Sequence, residues 1–284
     1  MSHALISAPA LRARLASGQP LLLLDCSFDL ADPSAGQRQH AQGHLPGAVY
    51  LSLETDLSAP HAGPQAGRHP LPDRQDFAHR LAAMGLHDTL PVVAYDRSGG
   101  IYAARLWWML GWAGHEPVQV LDGGLAAWVQ AGGAVQVGPV PAGAPGGFTL
   151  RPSRVRALDY VTLRAGLGRP DRLIVDARAP DRFRGENETL DPVGGHIPGA
   201  LNRFFRDNLG ADGCFKPADT LRAEWQALMA GRPADQLVMQ CGSGVTACHN
   251  LLALDAAGLG GAALYPGSWS EWCHQANAPV ATGA

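Results

Sequence analysis

Lysine is almost missing from this 284-residue chain: Lys216 stands alone, and arginine supplies every other fixed positive charge. A coding bias toward GC-rich codons accounts for that. A formal charge of −3 and the lack of any basic stripe exclude a polyelectrolyte partner such as nucleic acid. No long apolar run is present. Leu21 to Leu24 is far too short to cross a bilayer, which speaks against a membrane protein. The N-terminus, Met1-Ser-His-Ala-Leu-Ile, lacks the basic-then-apolar order of a secretory signal. Cysteine is sparse, and the five present (Cys26, Cys214, Cys241, Cys248, Cys273) have no disulfide-framework spacing. Free thiols in a reducing, cytoplasmic setting are expected.

What the chain does contain, it contains twice. The first half reads Leu21-Leu-Leu-Leu-Asp25, His44-Leu-Pro-Gly-Ala48, Val92-Val-Ala-Tyr-Asp96-Arg-Ser-Gly-Gly-Ile-Tyr-Ala103 and Val120-Leu-Asp-Gly-Gly124. The second answers with Leu173-Ile-Val-Asp176, His196-Ile-Pro-Gly-Ala200, Leu237-Val-Met-Gln-Cys241-Gly-Ser-Gly-Val-Thr-Ala247 and Leu264-Tyr-Pro-Gly267. Asp96 stands where Cys241 stands. Copies that differ at one loop mark that loop as the place of chemistry.

Short apolar runs alternate with amphipathic stretches in each half, the pattern of a parallel α/β sheet covered by helices. Strands are expected over 20–25, 47–51, 91–95 and 117–121, and again over 172–176, 199–202, 236–240 and 262–265. Helices are expected over 8–17, 74–84, 101–112 and 124–131. The stretch Gly138-Pro-Val-Pro-Ala-Gly-Ala-Pro-Gly-Gly147 suits neither a helix nor a central strand. It divides the chain into domains at 1–137 and 153–284, with a linker over 138–152. His44 and His196 precede glycine turns in both copies, including the one without a cysteine. A fold role, a ring nitrogen bonding backbone, is therefore favoured for them.

Between a strand and a helix, the glycines around Cys241 let successive backbone N–H groups converge on one point. The helix N-terminus adds its partial positive charge. Such a site stabilises an anion, including a thiolate. The Cys-x5-Arg pattern of cysteine phosphatases fails, because Ala247 occupies the arginine position. Cys241, Cys248 and His249 lack the paired spacing of a metal site. Cys248 and His249 are expected on the following helix, one packed inward and one turned to solvent. A redox pair of Cys241 with Cys248 is disfavoured by the same helical spacing.

With these loops in view, the chain resembles two-domain rhodanese-type sulfurtransferases over almost its full length. The residues that carry the resemblance are the Cys241–Ala247 loop, both His-x-Pro-Gly-Ala segments, Tyr102-Ala-Ala-Arg-Leu-Trp-Trp-Met109 and Gly267-Ser-Trp-Ser-Glu-Trp272. It implies two tandem rhodanese-like α/β domains, each a parallel sheet flanked by helices. The N-terminal domain is then inactive, and the active site lies at the interface. Cys241 would carry a persulfide, taken from a small-molecule sulfur donor. The acceptor would be cyanide, a low-molecular-weight thiol or a protein thiol such as thioredoxin. No metal or organic cofactor is implied.

Neutral Gly242 and Ser243 after the cysteine resemble the 3-mercaptopyruvate enzymes, whereas thiosulfate enzymes place basic residues there. The resemblance implies a serine–histidine–acid arrangement of Ser243, His69 and either Glu54 or Asp56. Arg182 matches the substrate arginine, with Gly242, Gly244, Val245 and Thr246 lining the donor site. Arg178 and Arg184 are expected to be structural, paired with Asp181 or Glu186. The second arginine of the mercaptopyruvate pattern is absent, for the chain reads Glu188-Thr-Leu-Asp-Pro192 there. Thiosulfate as donor, and a non-enzymatic persulfide carrier or interaction module, are the alternatives.

Overall fold

A computed structural model describes residues 4–141 and 143–284. Met1–His3 of the segment read for a leader, and Ala142 of the linker, lie outside the described residues. The first sheet is built from β1 (Leu5–Ile6), β2 (Leu22–Asp25), β3 (Val49–Tyr50), β4 (Val92–Tyr95) and β5 (Val118–Leu121). Around it pack α1 (Ala8–Ala16), α2 (Ala35–Gln42), α3 (Arg74–Ala83), α4 (Ile101–Trp112) and α5 (Gly124–Gln130). The second sheet contains β6 (Arg156–Ala157), β7 (Leu173–Asp176), β8 (Leu201–Asn202), β9 (Leu237–Gln240) and β10 (Ala263–Leu264). Its helices are α6 (Tyr160–Ala165), α7 (Pro180–Arg184), α8 (Ala218–Met229), α9 (Thr246–Ala256) and α10 (Ser268–Trp272).

Both sheets are parallel and share one order, β1-β5-β4-β2-β3 and β6-β10-β9-β7-β8. Leu22–Asp25 runs in register with Val92–Tyr95, and Leu173–Asp176 with Leu237–Gln240. All four strands are buried at every residue, which explains their unbroken apolar runs. The edge strands β1 and β6 were not anticipated. Each has two residues, too few to establish an alternation.

The domains are joined by an apolar seam. Helix α4 is buried from Tyr102 to Leu110 save at Trp107, because one face covers its own sheet and the other meets α9. Helix α9 is likewise buried from Ala247 to Leu254. One hydrophobic core therefore runs through both domains, with Ala103, Leu106 and Met109 joined to Ala247, Leu251 and Leu254. A helix apolar on all sides is the sequence mark of such burial. This corrects one expectation: neither Cys248 nor His249 faces solvent, for both are fully buried. His249 Nε2 lies 3.0 Å from the carbonyl oxygen of Gly99 in the first domain.

The linker lies along the first domain. Gly146 N–H donates to the carbonyl of Ala82 at 2.7 Å, and Thr149 N–H to Asp88 Oδ1 at 2.7 Å. Among the described residues, no helix is long and apolar enough to cross a membrane.

Candidate active site

Strand β9 delivers Cys241 at the carboxyl edge of its sheet, where open α/β sheets place their ligands. The Cys241 N–H donates to Ser268 Oγ at 3.1 Å, and that hydroxyl donates to the carbonyl of Tyr265 at 2.9 Å. Ser268 holds this position at φ +55°, a left-handed conformation uncommon for serine. Gly244, at φ +75°, turns the loop into α9, and a Cβ there would stand 2.2 Å from the carbonyl oxygen of Pro266. Among the described residues, no acceptor bonds the N–H groups of Gly242, Ser243, Gly244 or Val245.

The equivalent loop in the first domain supplies its own anion. The Asp96 carboxylate accepts N–H bonds from Ser98, Gly100, Tyr102 and Ala103 at 2.8–3.0 Å. Burial pushes its pKa up, against the four donors that pull it down. The first loop thus satisfies its N–H groups with its own carboxylate, and among the described residues the second loop has no counterpart to it.

Ser243 lies in the second of these loops, and His69 reaches it from the first domain. His69 Nδ1 stands 2.7 Å from Ser243 Oγ, with both residues buried. The other ring nitrogen lies 3.4 Å from Glu54 Oε1, near enough for electrostatic support but not aligned as a hydrogen bond. Burial, helped by the charges of Arg105 and Arg68, holds the His69 pKa down at about 3. Asp56 is engaged elsewhere. Its carboxylate accepts the Ser52 N–H at 2.8 Å and pairs with Arg80 at 3.7 Å, so the acid beside His69 is Glu54.

Arg105 was missed in the sequence, although it is the one charge inside the apolar run of α4. Fully buried, it donates to the carbonyls of Gly244 at 3.1 Å, His69 at 3.1 Å and Leu57 at 3.3 Å. One guanidinium therefore ties the cysteine loop to the segment bearing His69.

The Cys241 side chain borders a cavity of about 220 Å³ between the domains. Gly242, Ser243, Val245 and Thr246 line it from the loop, and Arg182 and Arg68 from the facing segments. Gly244 bends the loop without lining it. Arg182 is paired with Glu188, through Nε at 2.9 Å and Nη2 at 2.8 Å, and with Asp191 at 3.4 Å. Burial pulls the Glu188 pKa up, but bonds from Arg182 and the Leu190 N–H prevail and hold it below the usual range. Arg178 also lines this cavity, and its partners are neither Asp181 nor Glu186. It pairs with Asp176 at 2.7 Å and Glu188 at 3.4 Å, with its guanidinium 4.6 Å from the Trp269 ring centroid. Arg184 pairs with Glu186 at 2.7 Å.

Burial works against a thiolate at each of the remaining cysteines. Burial pushes Cys26 well above its ordinary pKa, Cys248 to about 12, and Cys214 and Cys273 each to about 11. A larger cavity, of about 570 Å³, opens near Trp107, His115 and Asp255, and no cysteine lines it. Among the described residues, no group of three or more His, Cys, Asp or Glu side chains is arranged to hold a metal ion. His44 and His196 bond backbone, with Nδ1 at 2.7 Å from the His40 carbonyl and 2.8 Å from the Phe183 carbonyl.

The model of the rhodanese-like domain matches residues 7–131 and again 160–275. A Pseudomonas aeruginosa protein named a probable 3-mercaptopyruvate sulfurtransferase is 51% identical over 283 residues, covering 99% of both chains. A Mycobacterium tuberculosis protein, provisionally named a thiosulfate sulfurtransferase, is 39% identical over 98% of this chain and 97% of its own. Among solved structures, Escherichia coli SseA, described as a 3-mercaptopyruvate sulfotransferase, superposes with a TM-score of 0.80 at 29% identity. That alignment covers 94% of this chain and 98% of SseA.

Proposed function

This chain belongs to the rhodanese-like family and is a sulfurtransferase, and we propose that it moves a sulfane sulfur from 3-mercaptopyruvate through a Cys241 persulfide to cyanide or a thiol. The observation that carries the choice of donor is the 2.7 Å contact between His69 and Ser243, made across the domain boundary beside Cys241.

In this reading Cys241 attacks as a thiolate, stabilised by the unbonded N–H groups of its loop. It forms an S–S bond to the donor sulfur while the donor's C–S bond breaks. The electron pair of that bond passes to carbon, giving the enolate of pyruvate. The donor thiol's proton must reach that carbon. A neutral His69 whose Nδ1 accepts from the Ser243 hydroxyl suits this transfer, because Ser243 can take the proton from sulfur and return it to carbon. Glu54 near the far ring nitrogen favours the tautomer with hydrogen on Nε2. Arg182, with a fork matched to carboxylate, binds the donor's acid end, and Val245 and Thr246 close the site beside it.

The second half-reaction frees the enzyme. Cyanide attacks the outer sulfur, the S–S bond breaks, and thiocyanate leaves as Cys241 returns to thiolate. A thiol acceptor, whether a small molecule or a thioredoxin-like protein, takes the outer sulfur as its own persulfide. Free thiols fit a reducing, cytoplasmic setting for this traffic.

Thiosulfate is the second reading. The guanidinium groups of Arg68 and Arg182 at the cavity favour it, since a sulfonate would meet both. Steady-state kcat/KM with each donor and cyanide decides between them. The proposal expects the higher value with 3-mercaptopyruvate, and a higher value with thiosulfate overturns it.

A further inference from the structure

Asp191 holds two guanidinium groups at once, one from each domain. Its Oδ1 accepts from Arg68 Nη1 at 2.9 Å, and its Oδ2 accepts from Arg68 Nη2 at 3.3 Å and Arg182 Nη2 at 3.4 Å. The Asp191 side chain is almost wholly buried, so this is a fixed element of the site. Arg68 starts from a fixed point as well, because its backbone N–H donates to Ser270 Oγ at 3.0 Å in the other domain.

The two arginines converge on one place. A carbon added at Gly242 would stand 3.5 Å from Arg68 Nη2 and 3.6 Å from Arg182 Nη1. Gly242 directly follows Cys241, so an anion seated above it keeps a sulfur two or three bonds away within reach of the thiol. Arg182 Nη1 has no acceptor among the described residues, and Arg68 keeps its Nε–H and one Nη2–H uncommitted. A guanidinium has five N–H donors and can serve a fixed carboxylate on one edge and a ligand on another.

We propose that Arg68 binds the anionic end of the sulfur donor jointly with Arg182, and that Asp191 is the positioning residue that draws Arg68 across the domain boundary. The inference rests on the reading of this site as one for an anionic sulfur donor. Asp191 lies nine residues after Arg182, where the mercaptopyruvate pattern has a second cation and this chain has an acid. The cation comes instead from the first domain, held by that acid.

The test is steady-state kinetics of the full chain with 3-mercaptopyruvate and with thiosulfate, cyanide as acceptor. The proteins compared are wild type, Arg68→Ala, Arg68→Lys and, as control, Arg184→Ala. A lost charged hydrogen bond raises KM about tenfold or more. Arg68→Ala is expected to raise KM by that amount for the donor wild type uses, with the loss in KM rather than kcat. Arg68→Lys, which keeps charge but not the fork, falls between, and Arg184→Ala behaves as wild type. An unchanged KM in Arg68→Ala overturns the inference, as does a fall in kcat and thermal midpoint with KM held. Donor choice is read separately: wild-type turnover with thiosulfate alone overturns the donor proposed above, while the effect of Arg68 is then read on thiosulfate.

Discussion

His69 and Ser243 are 174 residues apart in the chain and 2.7 Å apart in space. Neither domain makes this pair by itself. In the proposed reaction the loop of the second copy supplies the nucleophile, and the copy that lacks the loop cysteine supplies the proton-handling residue. The buried Arg105, bonded to the carbonyls of both His69 and Gly244, fixes the relation between the two halves.

Replacing His69 separates the donors. Pyruvate enolate must gain a proton on carbon, whereas thiosulfate leaves as sulfite and needs none there. His69→Ala should depress mercaptopyruvate turnover by about 10²–10⁴-fold, the usual range for positioned acid–base groups, and thiosulfate turnover far less. Equal losses with both donors, measured as kcat, would remove His69 from the proton path.

Arg105 spends its hydrogen bonds on three backbone carbonyls. Arg105→Leu leaves those buried acceptors unpaired, at roughly 1–3 kcal/mol each where water cannot reach them. It should therefore lower the urea midpoint and kcat together. A variant with native stability and full turnover would mean that the loop and the His69 segment hold each other without it.

The Asp96 carboxylate fills the first domain's cradle. Asp96→Ala should cost stability on the order of 1–3 kcal/mol, because it strands several buried N–H groups at once. Chemistry should persist in the folded fraction, since Asp96 is outside the Cys241 cavity lining. Equilibrium unfolding alongside specific activity reads both halves of this expectation.

Acid should loosen the seam between the domains. The His249 pKa is held down at about 4, chiefly by burial, below the 6.5 of a free histidine. The Asn208 Nδ2 lies 3.3 Å from His249 Nδ1, and the Gly99 carbonyl 3.0 Å from Nε2, so the neutral ring is already satisfied at both ends. Between about pH 6.5 and 4 only the unfolded chain binds this proton, so stability falls as pH falls, by roughly 1.4 kcal/mol per pH unit at most. Urea midpoints across that window should decline in wild type and decline less in His249→Gln. Parallel curves for the two proteins would assign the acid sensitivity to other groups, His69 first among them.

Much of this was written in the chain. The central strands of both sheets, the helices after the two equivalent loops and the place of Cys241 between strand and helix could be read from apolar runs, glycines and the repeat. Ser243, His69 and Arg182 came with the resemblance to a family, and all three border or face the Cys241 site. The edge strands β1 and β6 escaped because two residues give no period. The expectation that one of Cys248 and His249 faces solvent failed because helical spacing describes one helix and cannot report a second one packed across it. The choice between Glu54 and Asp56 needed coordinates, since both acids lie in one turn and only side-chain direction separates them. Arg68 and Asp191 were hidden because exchange of a charge between two domains leaves no local pattern. Arg105 did leave a signal, a lone arginine in an apolar helix, which is the mark of a buried charge that holds other groups in place.

The central claim is that sulfur passes through Cys241. Peptide mass spectrometry after brief exposure to 3-mercaptopyruvate, without acceptor, tests it most directly. One added sulfur atom on the Cys241 peptide, removed by cyanide and absent from Cys241→Ser, is the result expected from the loop's unbonded N–H groups and the raised pKa of the other thiols. A protein that turns over the donor while the sulfur sits on Cys26, Cys214, Cys248 or Cys273, or on no cysteine at all, would contradict it.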